Sequence, residues 1–469
     1  MNAKTIYRLS VALTGAVQRL RVEPRRDRET RRGPNIFTDW WLQSFGFALA
    51  GLYAVGFVIL YRSRTWIIGK TGLPIYTDFG NIWMAGTQAL HGNIAAMFNS
   101  AELARLNAAV FEPTTFFYPN WPYPPTFFLI AAPLALLAYR WAFITWDLVT
   151  LLGCVVVVYL IVRRRAAIAL TLAAPFTAWN FLAAQNGFLT AALLGASLLS
   201  LERRPILAGV FIGCLSYKPQ FGIVIPLALA ASSRWRAIVS AVATIALLTG
   251  VSIAAFGVGV WEAFPGQLMA QTGVNFPASQ DADWGYLQSV YGLTRSLHGG
   301  AALAWVAQGV ITVGVAIIVW LVWRSGVRYP LKAATLSAAA LLATPYAFAY
   351  DMAALVIPAA FLARDQLERG VLLGEKTTWI ALFGVPLAVL VTLGDKLGGP
   401  TFGGTPVSLF AAMLLFAVIV RRVLALHLRA TAPSAPPALS PERPTPYTMT
   451  RTTRKPGLSK TGLSRVWPR

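Results

Sequence analysis

The chain has 469 residues, of which 56% are hydrophobic and 12% are charged, and its mean hydropathy is +0.58. This composition excludes an ordinary soluble domain and predicts an all-α polytopic membrane protein. The formal net charge of +22 could indicate nucleic acid, but nine Lys or Arg residues precede Asp39 and ten follow Val420. Because basic residues that flank a hydrophobic body mark cytoplasmic segments beside membrane lipids, we expect no nucleic-acid partner and two cytoplasmic termini.

The hydropathy pattern divides the chain into three parts. Residues 1–42 form a basic cytoplasmic segment rather than a cleaved signal peptide, because polar and basic residues fill the stretch before the first apolar run. Residues 43–427 form the membrane domain, and the tail 428–469, rich in Pro, Ser, Thr and Arg, is predicted to be disordered. Apolar runs at about 20 residues per crossing predict about 12 transmembrane helices. The runs are 43–61, 141–162, 166–184, 188–201, 206–215, 221–231, 237–256, 301–323, 331–348, 352–363, 377–393 and 407–420.

Clusters of arginine set the expected topology, because they favour the cytoplasmic side. They occur at 163–165, 202–204, 234–236, 324–328, 364–376 and 421–422. The intervening turns are then external, with two large loops at 63–140 and 257–300 and short turns at 185–187, 217–220, 349–351 and 394–406. The run 126–139 would give an odd number of crossings, so we interpret it as re-entrant. A full crossing with one arginine cluster outside is the alternative.

The first external loop carries Asp78 in the sequence TDFGNIWMAGTQALHG, residues 77–92. Together with AAMFNSAELARLNAA further on, this pattern predicts amphipathic helices on the membrane surface. Asp78 heads the first helix, where it can act as an N-cap. A carboxylate fixed there can also act as a general base for a lipid-linked reaction, and the two roles do not exclude each other.

Other polar residues interrupt the apolar runs, and each has a structural alternative. Lys218 in the turn 217–220 suits a phosphate or snorkels to the surface. The run YPNWPYPP, residues 118–125, suits an aromatic belt and a helix start at Pro125. Asp147, inside a span, suits a polar pathway or a buried hydrogen bond to Trp or Tyr. Further substrate-contact candidates, each of which could instead serve turn closure or loop packing, are Gln185, Asn186, Gln220, Trp284, Tyr286, Tyr291, Arg295, His298 and Asp351.

The chain shows little sign of a metal or of a nucleophile. Its cysteines, Cys154 and Cys214, lie in different spans, and its three histidines lack ligand spacing, so we expect no disulfide and no cofactor. Asp281 and Asp283 form a weak metal candidate in the second large loop, which a solvated turn explains as well.

Several motifs together resemble a known family. TDFGNIWMAGTQALHG, YPPTFFLIAAPLALL and the stretch from AAQNG to SRWRA, which contains KPQ, are similar to membrane glycosyltransferases of family 87. The resemblance covers the chain from the first span to Arg236, and beyond that only in hydropathy. It implies a GT-C bundle with a catalytic Asp in the first external loop and a polyprenyl-phosphate sugar as donor.

By that resemblance Asp78 is the general base of an inverting mannosyltransferase-like enzyme of the inner membrane. Lys218 and Tyr123 are candidates for the donor phosphate, and Arg295 is a further candidate on the ground of its charge. The acceptor is expected to be a hydroxyl of a lipid or glycan on the external face. Two other classes stay open: a transporter or flippase of lipid-linked saccharides, and a structural membrane subunit. The expected clustering of Asp78, Lys218, Gln185, Arg295 and Asp351 on one face favours the enzyme.

Overall fold

The computed structural model describes residues 39–113, 121–273, 284–372, 375, 379 and 406–431. These ranges contain helices and isolated β-bridges but no β-strand. The helices of the first half are α1 (Asp39–Arg62), α2 (Asp78–Leu90), α3 (Ser100–Val110), α4 (Phe128–Ala135), α5 (Tyr139–Val162), α6 (Arg165–Ala173), α7 (Pro175–Ala183) and α8 (Gly187–Ser200). Those of the second half are α9 (Pro205–Cys214), α10 (Ile225–Ala231), α11 (Trp235–Phe256), α12 (Gly259–Gly273), α13 (Val290–Ser296), α14 (Ala301–Arg324), α15 (Tyr329–Ala343), α16 (Val356–Arg369) and α17 (Val407–Thr431).

Five of the described helices are long and apolar enough to cross a membrane: α1, α5, α11, α14 and α17. A sixth span results if α6 and α7, which meet at an angle of 58°, form one broken crossing. The chain is therefore a multi-pass membrane protein, but the expected number of about 12 helices is not confirmed. The expected span at 377–393 lies outside the described residues, apart from Trp379.

The expected spans that fall short do so because their apolar runs are short or because a proline interrupts or precedes them. Helices α7 and α9 each begin at a proline, and α10 and α15 have one in their first turn. Proline fits a first turn but not a helix interior, so each one restarts the helix. At 1.5 Å per residue, the 10 residues of α9 and the 7 of α10 are much shorter than about 30 Å of hydrocarbon. The apolar runs 206–215 and 221–231 are themselves only 10 and 11 residues long.

The centre of the bundle is α15. All its residues from Pro330 to Ala343 are buried except Lys332, because alanine on several faces lets α14, α16 and α17 approach closely. By contrast, α1 and α11 expose many large apolar side chains. Such faces suit contact with lipid.

Helix α2 is buried, contrary to the expectation of a surface helix. Phe79, Ile82, Met84 and Ala85 are each at most 1% exposed. The helix packs against α4, and a Cβ at Gly86 would lie 2.0 Å from the carbonyl oxygen of Ala131. Close packing on α4, which the periodicity of α2 does not predict, therefore encloses it.

The remaining segment predictions have mixed outcomes. Helix α3 buries only Leu103 and Asn107, as a surface helix would. The apolar segment Pro125–Ala135 is too short for a full crossing, and its re-entrant placement stays a prediction. Helix α1 begins at Asp39 and α17 ends at Thr431, a few residues beyond the expected boundaries at 43 and 427.

Candidate active site

Asp78 is the first residue of α2, and its neighbours fix it there. Phe79 is fully buried against Tyr139 and Phe143 of α5. The hydroxyls of Thr77 and Tyr139 lie 3.2 Å apart. The helix has Thr77 as its N-cap residue and no side-chain capping hydrogen bond. The N-cap alternative for Asp78 is therefore not what the structure shows, and its side chain is available for other contacts.

Protein encloses the carboxyl of Asp78 in part. The residue is accessible to solvent, yet burial in surrounding protein raises the pKa of its carboxyl to about 6. A hydrogen bond with Gln185 and the positive charge of Lys218 partly offset this rise. Solvent access and strong desolvation occur together where a group lines a cleft: water reaches it from one side and protein encloses it on the others. A carboxyl with a pKa near 6 is about 90% ionised at pH 7, as a general base requires.

The turn between α7 and α8 presents Gln185 and Asn186. Asn180 fixes this turn by donating to the carbonyl oxygen of Gln185 at 3.1 Å and accepting from the N–H of Gly187 at 3.0 Å. Ala184 has a left-handed φ of 48°, and its carbonyl oxygen accepts the Trp146 indole N–H at 3.0 Å. The two amides therefore project from a rigid turn rather than from a mobile loop.

Tyr123 joins this turn from the segment before α4. Its hydroxyl donates to the side-chain oxygen of Gln185 at 3.2 Å, and the ring is 4% exposed. The amide of Asn186 lies beside the same hydroxyl. It is fully buried and completes no hydrogen bond of ordinary geometry with any described residue. Tyr123, Gln185, Asn186 and Asp78 thus form one polar group.

Lys218 lies between two short 3₁₀ turns, Leu215–Tyr217 and Pro219–Gly222. Its Nζ lies 2.5 Å from Oδ1 of Asp351, and the two residues are 3% and 0% exposed. Burial lowers the pKa of Lys218 and raises that of Asp351, while each group favours the charged form of the other. Lys218 therefore does not snorkel to the surface: it meets an anion, and that anion is Asp351.

The described residues of the second large loop, 257–273 and 284–300, do not join this group. Arg295 stacks on the ring of Trp284, with 4.6 Å between its guanidinium carbon and the ring centroid, and donates to the carbonyl oxygen of Gly299 at 3.0 Å. His298 is exposed. Gln220, two residues after Lys218, is half-buried and shares no described hydrogen bond with the group. The described part of the loop is linked to the site indirectly, because Leu287 pairs with Phe348, which stacks on Tyr350.

Asp147 does not make the hydrogen bond that the sequence led us to expect. It is fully buried in α5, and neither carboxyl oxygen has a hydrogen-bond partner among the described residues. The predicted hydrogen bond to Trp or Tyr is wrong, because Trp146 donates to Ala184 instead. The described residues contain no group of His, Cys, Asp and Glu that could hold a metal, and both cysteines are free. Asp281 and Asp283 lie outside the described residues.

Three residues that support the site were missed from the sequence. Asn180 sits within an apolar run and Tyr217 lies next to Lys218, yet both hold the turn at Asn186: Tyr217 donates to the Asn186 carbonyl oxygen at 3.3 Å. Tyr350 lies under the Lys218 ammonium, 4.7 Å from the ring centroid. A Cβ at Gly187 would lie 2.1 Å from the carbonyl oxygen of Tyr350. An asparagine inside an apolar run was the one available signal.

This group of residues lies largely within a stretch that resembles known enzymes. Residues 121–345 match the model of glycosyltransferase family 87. The match contains Tyr123, Gln185, Asn186 and Lys218, whereas Asp78 precedes it and Asp351 follows it. With the apolar helices, it indicates a membrane glycosyltransferase, and the all-helical multi-pass chain fits the GT-C superfamily. No curated protein and no solved structure matches the chain.

Proposed function

We propose that this chain transfers a hexose from a polyprenyl-phosphate sugar to a hydroxyl of a lipid or glycan acceptor. Mannose is the hexose that we propose. Asp78 acts as the general base, and the transfer inverts the anomeric configuration. The observation that carries the proposal is the solvent-accessible carboxyl of Asp78, with a pKa near 6, beside two amides and a buried ammonium. The match to family 87 supports the same reaction class.

The reaction requires one carboxylate. The acceptor hydroxyl gives its proton to Asp78, and its oxygen forms a bond to the anomeric carbon. The bond from that carbon to the phosphate oxygen breaks on the opposite face, and its electron pair stays on the lipid phosphate. A phosphate is a good leaving group when a cation meets its charge, so the step needs no second protein acid, and we propose no metal or cofactor for it.

Lys218 is the cation best placed for the leaving phosphate. An ammonium has three N–H donors, and one hydrogen bond of Lys218, to Asp351, is described. We prefer Lys218 to Arg295 because Lys218 acts electrostatically on Asp78, whereas the described contacts of Arg295 are with Trp284 and Gly299. The buried amide of Asn186 suits a sugar hydroxyl. Gln185 and Tyr123 then position Asp78 and the sugar.

The membrane orientation is part of the same proposal. Turns at Gln185, Lys218 and Asp351 meet at the end of the bundle that carries Asp78, whereas Arg328, Arg364 and Arg422 meet at the other. Because arginine-rich ends favour the cytoplasm, we place the active site on the external face of a bacterial inner membrane, with both termini inside.

The test is transfer from radiolabelled polyprenyl-phosphate mannose to endogenous lipid in membranes that contain the wild type, Asp78→Asn or Glu102→Gln. Glu102 is a matched control, since it is a carboxylate of the same loop that pairs with exposed Arg105. Transfer by the wild type and by Glu102→Gln, but not by Asp78→Asn, supports the proposal. Equal transfer by all three removes Asp78 as the base. If none transfers, a lipid-sugar flipping assay tests the transporter alternative.

A further inference from the structure

The ion pair of Lys218 and Asp351 is held from both of its sides. Oδ1 of Asp351 lies 2.5 Å from the Lys218 ammonium, and Oδ2 accepts the backbone N–H of Phe348 at 3.0 Å. The aromatic ring of Tyr350 lies against the ammonium. Neither oxygen of Asp351 is thus free to turn, and the carboxylate fixes where the ammonium sits.

Burying this ion pair costs free energy, and a need to hold the ammonium at a defined position would explain why the pair is present. Taking two ions out of water costs several kcal/mol each, and a buried pair is often no more stable than apolar residues of the same size. The rings of Phe221 and Tyr350 both lie near the Lys218 ammonium, with centroids 5.7 Å and 4.7 Å from its Nζ. A buried ion pair in such surroundings therefore fits a need for a charge at a defined place.

The positive charge of Lys218 acts on the carboxyl of Asp78. The amide of Gln185 lies beside Asp78, and the Tyr123 hydroxyl donates to Gln185 and lies in the field of both Asp78 and Asp351. Asp78 and Lys218 also act on each other directly through their charges. The titratable groups that face this cluster from the packed elements are Asp78, Tyr123, Tyr139, Tyr217, Lys218 and Asp351.

We propose that Asp351 is a positioning residue: it holds the ammonium of Lys218 at the fixed place from which it acts on the Asp78 carboxylate. Asp351 then contacts Lys218 and the backbone rather than substrate, which replaces the expectation that it binds substrate. The inference rests on the proposed role of Asp78 for its catalytic meaning, but the contact between the groups can be tested without any sugar donor.

The test is a double-substitution cycle read at Asp78 itself. An apolar carbodiimide adds to protonated carboxyl groups, so labelling of Asp78 falls as pH rises through its pKa, and mass spectrometry of the labelled peptide gives the midpoint. The four proteins are the wild type, Lys218→Gln, Asp351→Asn and the double variant. Glu368→Gln, which removes a charge paired with Arg328 and Arg364 far from Asp78, is the control and leaves the midpoint unchanged.

In the presence of Asp351, Lys218→Gln removes a favourable charge and raises the midpoint, by on the order of one pH unit. In the Asp351→Asn background the same substitution shifts the midpoint by less than half as much, because the ammonium is no longer held in place. Asp351→Glu, which keeps a carboxylate, restores part of the shift and serves as the background if Asp351→Asn fails to fold.

An equal or larger shift in both backgrounds contradicts the inference, since Asp351 would then be only a nearby charge. No shift in the wild-type background contradicts it as well. The proposed function fails separately, by absence of sugar transfer from the wild type, and the labelling cycle does not depend on that result.

Discussion

Two clusters of charged residues lie at opposite ends of α15 and α16, and they differ in how well their charges are matched. At one end, within the described part of the chain, Asp78 and Asp351 share one cation, Lys218. At the other end three arginines face three acids, and we call this group the basic-end network. Its members are Arg328, Arg364, Arg422, Asp365, Glu368 and Glu375.

The basic-end network is closed. Arg422 is 1% exposed, and its guanidinium reaches Asp365 at 2.7 Å, Glu375 at 2.8 Å and the carbonyl oxygen of Gly370 at 2.9 Å. Arg328 binds the other oxygen of Asp365 at 2.6 Å. These contacts join the segment before α15 to α16 and α17. A network with its donors and acceptors matched stabilises the bundle and has little capacity left for a substrate.

The Asp78 cluster is open. It has one more acid than cation, an accessible carboxyl and a buried amide at Asn186 without a hydrogen bond to the described residues. Incomplete matching is costly for stability, so its presence in a well-packed bundle fits a site that a ligand completes. In this protein the balance of acidic and basic groups, more than their burial, distinguishes the structural cluster from the proposed catalytic one.

The largest expected effect is the loss of transfer in Asp78→Asn. Removing a general base costs about 10²- to 10⁴-fold in rate. Because Thr77 rather than Asp78 is the N-cap residue of α2, we expect the melting temperature in detergent to stay close to that of the wild type. A large fall in melting temperature would instead place Asp78 among the structural charges.

The corresponding change in the basic-end network is Arg422→Met. It leaves Asp365 and Glu375 as buried acids without their main partner, and removing one side of a buried pair costs about 3–5 kcal/mol in the free energy of unfolding. Chemical denaturation measures this loss. The transfer rate per folded molecule should stay at the wild-type value, and a selective fall in that rate at unchanged stability would contradict the division into two clusters.

A smaller effect is expected for Lys218→Gln. A charge-assisted hydrogen bond contributes about 1.5–3 kcal/mol, so loss of the ammonium should raise the KM for the donor about tenfold or more. Initial rates at varied donor concentration measure it. An unchanged KM would remove Lys218 from the phosphate site, even if the rate at saturation fell.

The smallest effect concerns pH. A base must be ionised, so kcat/KM should be constant above pH about 6 and fall about tenfold per unit below it, as the Asp78 carboxyl takes up a proton. The neighbouring amide of Gln185 lowers the pKa of Asp78 and so favours the ionised form. Gln185→Ala should therefore raise the pKa of Asp78 and move the acidic limb to higher pH. An acidic limb that moves to lower pH in Gln185→Ala would contradict this prediction.

The sequence predicts the open cluster better than the closed network. Asp78, Gln185, Asn186 and Lys218 each stand at a break between apolar runs, where a polar residue is conspicuous. The pairing of Lys218 with Asp351 joins residues 133 positions apart, and no local pattern indicates it. Asp365 and Glu375 lie in a stretch that hydropathy marks only as a cytoplasmic loop, so the buried partners of Arg422 could not be foreseen.

The number of membrane spans was also hard to predict from the sequence, for a different reason. Runs of apolar residues predict the long helices α5, α11 and α14 well, since nothing interrupts them. Where a proline intervenes, as before α7, the run divides into two short helices, and the run of α9 is too short to cross by itself. Their burial depends on tertiary packing, which hydropathy does not encode.

The most direct test compares two substitutions of the same chemistry, Asp78→Asn and Asp365→Asn, in the same membranes. Sugar transfer per folded molecule and melting temperature are measured for both. The account predicts that Asp78→Asn loses transfer and keeps its melting temperature, while Asp365→Asn lowers the melting temperature and keeps transfer per folded molecule. Transfer retained by Asp78→Asn, or lost by Asp365→Asn at an unchanged melting temperature, would contradict it.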